Sequence, residues 1–205
     1  MTAPKKFYSS LLTSLFLFFL FSMNFCTGDS SKANLVDDAE WIKRGDSVVK
    51  KAFDTLRITL TEAIATKGVA GAVQLCNTEA LRLTAIYSGR SVRIKRISEK
   101  IRNAANTPDS LEKSFLTSYN ALIASNAKPK VFREENGTIH YFKPIFIQAL
   151  CLNCHGNPGQ QIQTEAWQKI KELYPNDQAT GYADSSFRGL WHVSFLTDKN
   201  KSSNK

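Results

Sequence analysis

The chain has 205 residues, with 27 Lys and Arg against 18 Asp and Glu, a formal net charge of +9. At 42% hydrophobic and 22% charged residues it is neither wholly disordered nor a polytopic membrane protein. Its length fits one domain with extensions.

The first 25 residues stand apart, because six of the 13 Phe lie there. Lys5 and Lys6 precede an apolar run, Leu11 to Phe21, and then polar sequence, the pattern of an export signal. Cys26 closes the run in the manner of a lipoprotein start, although Phe25 stands where a small residue belongs. Cleavage near Ala33, or retention of Tyr8 to Phe25 as an anchor helix, are the alternatives. Residues 1–25 are therefore expected to be a signal peptide, Cys26 a lipidation site, 27–37 a polar linker, and the product periplasmic or membrane-anchored facing the periplasm. Cleavage would leave +7 and remove Met1 and Met23, the chain's two methionines.

Further on, Trp41, Val49, Phe53, Leu56, Leu60 and Ile64 mark one face of a helix over 37–67, stopped at Gly68. A second helix over 69–88 carries Ala72, Val73, Cys76, Ala80 and Leu83 on one face. Residues 92–97 read as a strand, and Pro108-Asp109 opens a helix through about Ala124. Asn136-Gly137 between strand-like runs marks a hairpin. Thr164 is placed to cap a helix ended by Pro175, and Leu190 to Phe195 alternate as a last strand. Helices followed by an antiparallel sheet give an α+β fold over 38–196, with 197–205 a disordered basic tail.

Cys151-Leu152-Asn153-Cys154-His155 is the strong motif, and C-x-x-C-H reads as a c-type haem attachment site. Two thiols three positions apart reach the two vinyl groups of one porphyrin, and the adjacent imidazole falls beneath the iron. A thioredoxin-like pair, a tight disulfide, and a Cys₃His zinc site completed by Cys76 are the competing readings. Opposite His155, a processed chain offers no methionine. Cys76, His140, His192, a lysine or an open position remain, with both histidines expected at the surface.

Ala72-Val73-Gln74-Leu75-Cys76, Arg96-Ile97-Ser98, Arg102-Asn103 and the Cys151–Gly156 stretch are joined by Tyr174-Pro175-Asn176-Asp177 through Tyr182 and by Phe187-Arg188-Gly189. Together these resemble the bacterial c-type haem domains of PAS-like fold, long classed as a domain of unknown function. The resemblance implies an antiparallel sheet with helices on one side and preceding it, and one covalent haem c between them. It also implies iron held by His155 and Cys76, while Arg96, Arg102 and Arg188 are candidates to pair with the haem propionates. The implied role is a redox or small-ligand sensor, with a low-potential electron carrier as the alternative and an enzyme or zinc domain behind both. The expected partners are an acidic redox or signalling protein and a membrane surface reached by the N-terminal lipid or anchor, not nucleic acid.

Overall fold

In a computed structural model, residues 30–122 and 127–197 are described, together with Thr2. The chain divides into two units, Met1–Val36 and Asp37–Lys205. Apart from Thr2, the expected signal peptide lies outside the described residues, as do Cys26 and the tail beyond Thr197. Among the described residues no helix is long and apolar enough to cross a membrane.

The elements run α1 (Ser30–Ala85), β1 (Val92–Ile97), α2 (Ser110–Leu122), β2 (Lys130–Arg133), β3 (Ile139–Phe146), α3 (Ala149–His155), α4 (Thr164–Leu173) and β4 (Phe187–Phe195). The helix starts at Ser30, inside the stretch expected to be linker. Its two expected parts meet at Gly68, whose φ of 67° and ψ of 177° interrupt the helix. A side chain there would meet no neighbour, so the backbone angle alone makes glycine the suitable residue. Thr164 turns out to be the first helical residue of α4, and Gln163 holds the cap position without a side-chain bond.

The four strands form one antiparallel sheet in the order β1-β4-β3-β2. Alternation along each strand divides its two faces. Ile94, Tyr141, Trp191 and Val193 pack with Val49 and Ala52 of α1. Ile97, Phe142 and Leu190 pack with Leu116 and Tyr119 of α2. The α+β expectation therefore holds, but helices cover both faces instead of one. Helix α2 is recruited because it presents Leu116 and Tyr119 toward Ile97, Phe142 and Leu190 on that face.

The α1 contact is close. Tyr141 donates its hydroxyl to Asp46 at 2.6 Å, and Lys143 reaches the same carboxylate oxygen at 2.5 Å. A Cβ at Gly45 would fall 2.3 Å from the Tyr141 ring. Gly45→Ala gains up to about 1 kcal/mol of helix propensity but overpacks a buried ring, which costs about 1–3 kcal/mol. The net expectation is a loss of about 1 kcal/mol, read from urea unfolding; a more stable variant would mean that the ring yields freely.

Candidate functional site

β4 is longer than its alternating core. Ile145 pairs with Gly189 and Phe146 with Phe187, so Arg188 is an extra residue with no opposite number. Gly189 has φ 152°, and a Cβ on it would lie 2.1 Å from the Ile97 carbonyl oxygen. Only glycine lets β4 approach β1 this closely, and the bulge turns Arg188 toward a cavity beside α1.

That cavity, of about 270 Å³, gathers every site residue expected from the sequence. Cys76 enters from the second half of α1, Arg96 from β1, and Arg102 from the segment after β1. Arg188 comes from the bulge, and Cys151, Cys154 and His155 come from α3. Apolar side chains make the walls, including Leu56, Leu60, Val73, Leu150 and Trp191. Arg57 and Lys100 join the three arginines, and among the described residues no Asp or Glu lines the cavity.

α3 is seven residues long and has no side-chain N-cap. Its C-terminal carbonyls, which a helix leaves unsatisfied, are instead met from outside. Arg102 Nη2 donates to the Cys154 carbonyl at 2.7 Å, Tyr182 N to that of His155 at 3.0 Å, and Gly181 N to that of Gly156 at 2.9 Å. Arg102 also pairs with Asp177 through Nε at 3.0 Å and Nη2 at 2.9 Å. The C-x-x-C-H motif is thus clamped by Arg102 and the segment 177–182.

His155 donates its Nδ1–H to the Ala179 carbonyl at 2.7 Å. Burial, reinforced by Arg102 and Arg188, holds its pKa well below the ordinary imidazole value. The ring is therefore neutral, with its proton on Nδ1 and the Nε2 lone pair free, the state in which imidazole binds metal. Cys76, Cys151 and Cys154 are free thiols. Burial raises the Cys76 pKa against the pull of Arg96 and Arg102, and pushes Cys154 up to about 11. On the Cys76 face Ala72 is fully buried and Ala80 nearly so, small residues that permit a flat group to lie against the helix.

The three arginines differ. Arg102 is committed to Asp177 and two carbonyls. Arg188 Nη1 is held by Ser98 Oγ, by the Lys100 carbonyl at 3.1 Å and by Tyr182 Oη at 3.4 Å. Among the described residues Arg96 has one hydrogen bond, 3.5 Å from Nη2 to the Ala80 carbonyl, and its buried Nε has no partner. The free cysteines, an apolar wall and an orphaned cationic donor suit an apolar, anionic group carrying a metal.

Neither His140 nor His192 lines the cavity. Both were expected at the surface, and both are buried, on the α2 face of the sheet. His192 Nδ1 bonds Glu112 at 2.7 Å, and its Nε2 lies 2.8 Å from His140 Nδ1. Their burial follows from α2, which covers the face assigned to solvent. Among the described residues no three Cys, His, Asp or Glu side chains converge to hold one metal ion, which gives the Cys₃His zinc alternative no support.

An α+β domain that brings a C-x-x-C-H helix and a helix cysteine to one cationic, apolar cavity defines a type, and the chain belongs to the Tll0287-like family, which matches residues 32–195. Its fold is similar to the crystal structure of the cyanobacterial haem-protein Tll0287. That match has a TM-score of 0.54 at 19% identity and covers 77% of this chain and 96% of the other. No functionally curated protein matches.

Proposed function

We propose that this protein carries one haem c, tethered through Cys151 and Cys154, with its iron between His155 and Cys76, and that it acts as an exported redox or small-ligand sensor. The observation that carries the reading is the meeting of these four residues in one cavity whose charged lining is wholly basic among the described residues. Family membership supports it, since Tll0287 is described as a haem-protein. When bound, the group would supply a one-electron redox centre.

The protein's own part is to present Nε2 of a neutral His155, fixed through Ala179, and to bring a thiol on a separate helical segment. Gly68 supports the sensor role. It breaks α1 between the part that packs on the sheet and the part that carries Cys76, so a change at the cysteine has a separable element to move. Thiolate ligation favours the ferric state and a low potential. A lipid-anchored electron carrier is the second reading, favoured by the exposed Phe53, Leu81 and Phe146 at the cavity, where a partner would approach the cofactor edge. No enzymatic activity is proposed. The charge of +7 that cleavage after residue 25 would leave suits an acidic partner or an anionic membrane, and export rests on the leader pattern.

The test is expression with cytochrome c maturation machinery. Wild type is expected to show a Soret band and a covalent haem adduct by mass spectrometry. Cys151→Ser with Cys154→Ser should abolish the adduct. Cys76→Ala should retain it and shift the ferric Soret band as the thiolate is lost. An unshifted spectrum removes Cys76 as a ligand, and a matured wild type without haem ends the whole reading. A ligand change or helix movement on reduction, or on adding carbon monoxide, separates a sensor from a carrier, which exchanges electrons with its ligands unchanged.

A further inference from the structure

Burying a guanidinium is costly unless its donors find acceptors, because an unmet polar group forfeits about 1–3 kcal/mol. Arg102 meets this requirement through Nε and Nη2 and Arg188 through Nη1, whereas Arg96 leaves a buried N–H unmet. Among the described residues its buried Nε has no partner, and its one hydrogen bond, to the Ala80 carbonyl, is 3.5 Å long. Its position is nevertheless fixed. Arg96 is opposite Trp191 in the sheet register, and its guanidinium lies 5.8 Å from the centre of that ring. Both side chains line the cavity, and among the described residues no carboxylate lines it to satisfy the charge.

We propose that Arg96 is the anion receptor of this cavity, its unused N–H edge receiving a carboxylate of the bound tetrapyrrole. This assignment rests on the haem reading above. Of the three candidate arginines it singles out Arg96, since Arg102 serves Asp177 and two carbonyls and Arg188 Nη1 already serves Ser98, Lys100 and Tyr182. A guanidinium pairs with a carboxylate by two parallel N–H···O bonds and favours its ionised form. Arg96 therefore keeps one propionate charged in both oxidation states.

The experiment is a titration of the midpoint potential of haem-loaded full-length protein from about pH 4 to pH 7, where a carboxyl freed from its partner titrates. Haem content is measured in parallel. In Arg96→Leu the carboxyl takes up a proton within this range, more readily in the ferrous state. The variant's midpoint should therefore fall with rising pH more steeply than that of wild type. Its midpoint at neutral pH should also lie lower, because a positive charge near the iron has been removed. Arg96→Lys should restore most of the wild-type profile, and Arg93→Gln, an exposed cation on the same strand, should leave it unchanged. Profiles for wild type and Arg96→Leu that superimpose, with haem in both, overturn the assignment and leave the haem reading intact. A matured wild type without haem overturns both. If Arg96→Leu does not accumulate, Arg96→Met is scored by the same comparison.

Discussion

Arg102→Met is expected to lose about 3–5 kcal/mol of stability, the usual cost of removing one partner from a buried ion pair. The Arg102 and Asp177 side chains are only 12% and 4% exposed. The substitution strands the Asp177 carboxylate, together with the Cys154 and Ala179 carbonyls that Arg102 Nη2 serves at 2.7 and 3.2 Å. Methionine fills the volume, so the loss reports electrostatics and hydrogen bonding more than a cavity. The same change at Arg44, whose contact with Glu40 is exposed, should cost no more than about 1 kcal/mol. Urea unfolding followed by circular dichroism compares the two, and equal losses would show that the buried pair has no special weight. Asp177→Leu added to Arg102→Met should recover part of the loss, because an apolar pair leaves no buried charge unmet. The consequence reaches the site, since Ala179, whose amide bonds Asp177 Oδ1 at 2.9 Å, carries the carbonyl that fixes the His155 tautomer.

Such a clamp cannot be read along the chain, because Arg102 and Asp177 are 75 positions apart. What the sequence does carry is local. The helix period before and after Gly68, the Asn136-Gly137 turn and the alternation of Trp191, Val193 and Phe195 each depend on near neighbours, and each stands in the structure. Gly137 adopts φ 89° and Asn136 Oδ1 accepts the Thr138 N–H at 2.7 Å, as a tight hairpin requires. The C-x-x-C-H motif is equally legible in the sequence, although α3 is not legible as a helix. Its seven residues have no capping side chain, and the bonds that complete it come from Arg102 and the segment 177–182. Arg96, Arg102 and Arg188 are equivalent in sequence and inequivalent in space, where their separate acceptors decide the matter. The two histidines fail as surface residues for a related reason. Each falls at a polar position of its strand, and the covering helix brings its own polar residue, Glu112, to meet them.

That network sets the acid limb of stability. Burial of Glu112 works against its charge, but hydrogen bonds from His192, Lys95 and the Asp109 amide outweigh it and bring the carboxyl from 4.5 down to about 2. Because the folded value is the lower one, this stabilisation is complete above about pH 4.5 and drains away as pH falls toward 2. A fall from 4.5 to about 2 corresponds to about 3 kcal/mol. His140 acts in the same direction at higher pH. Burial lowers its pKa from 6.5, aided by the neighbouring His192, so the unfolded chain takes up its proton first. Stability should therefore begin to fall below about pH 6.5 and fall further below about 4.5. With Glu112 ionised, His192 donates to it from Nδ1, and among the described residues His140 Nε2 has no hydrogen bond and lies 3.3 Å from Glu134. Protonation there gains Glu134 as a partner but must place charge against a stack of Phe142 and His192. Glu112→Gln is expected to lose about 3 kcal/mol at pH 7 and to flatten the limb between pH 4.5 and 2, while keeping the step that begins near 6.5. His140→Phe should remove that upper step and leave the lower one. Urea midpoints measured across pH 2–8 for the three proteins decide it, and a Glu112→Gln curve parallel to wild type through the lower limb would assign acid unfolding to other carboxylates.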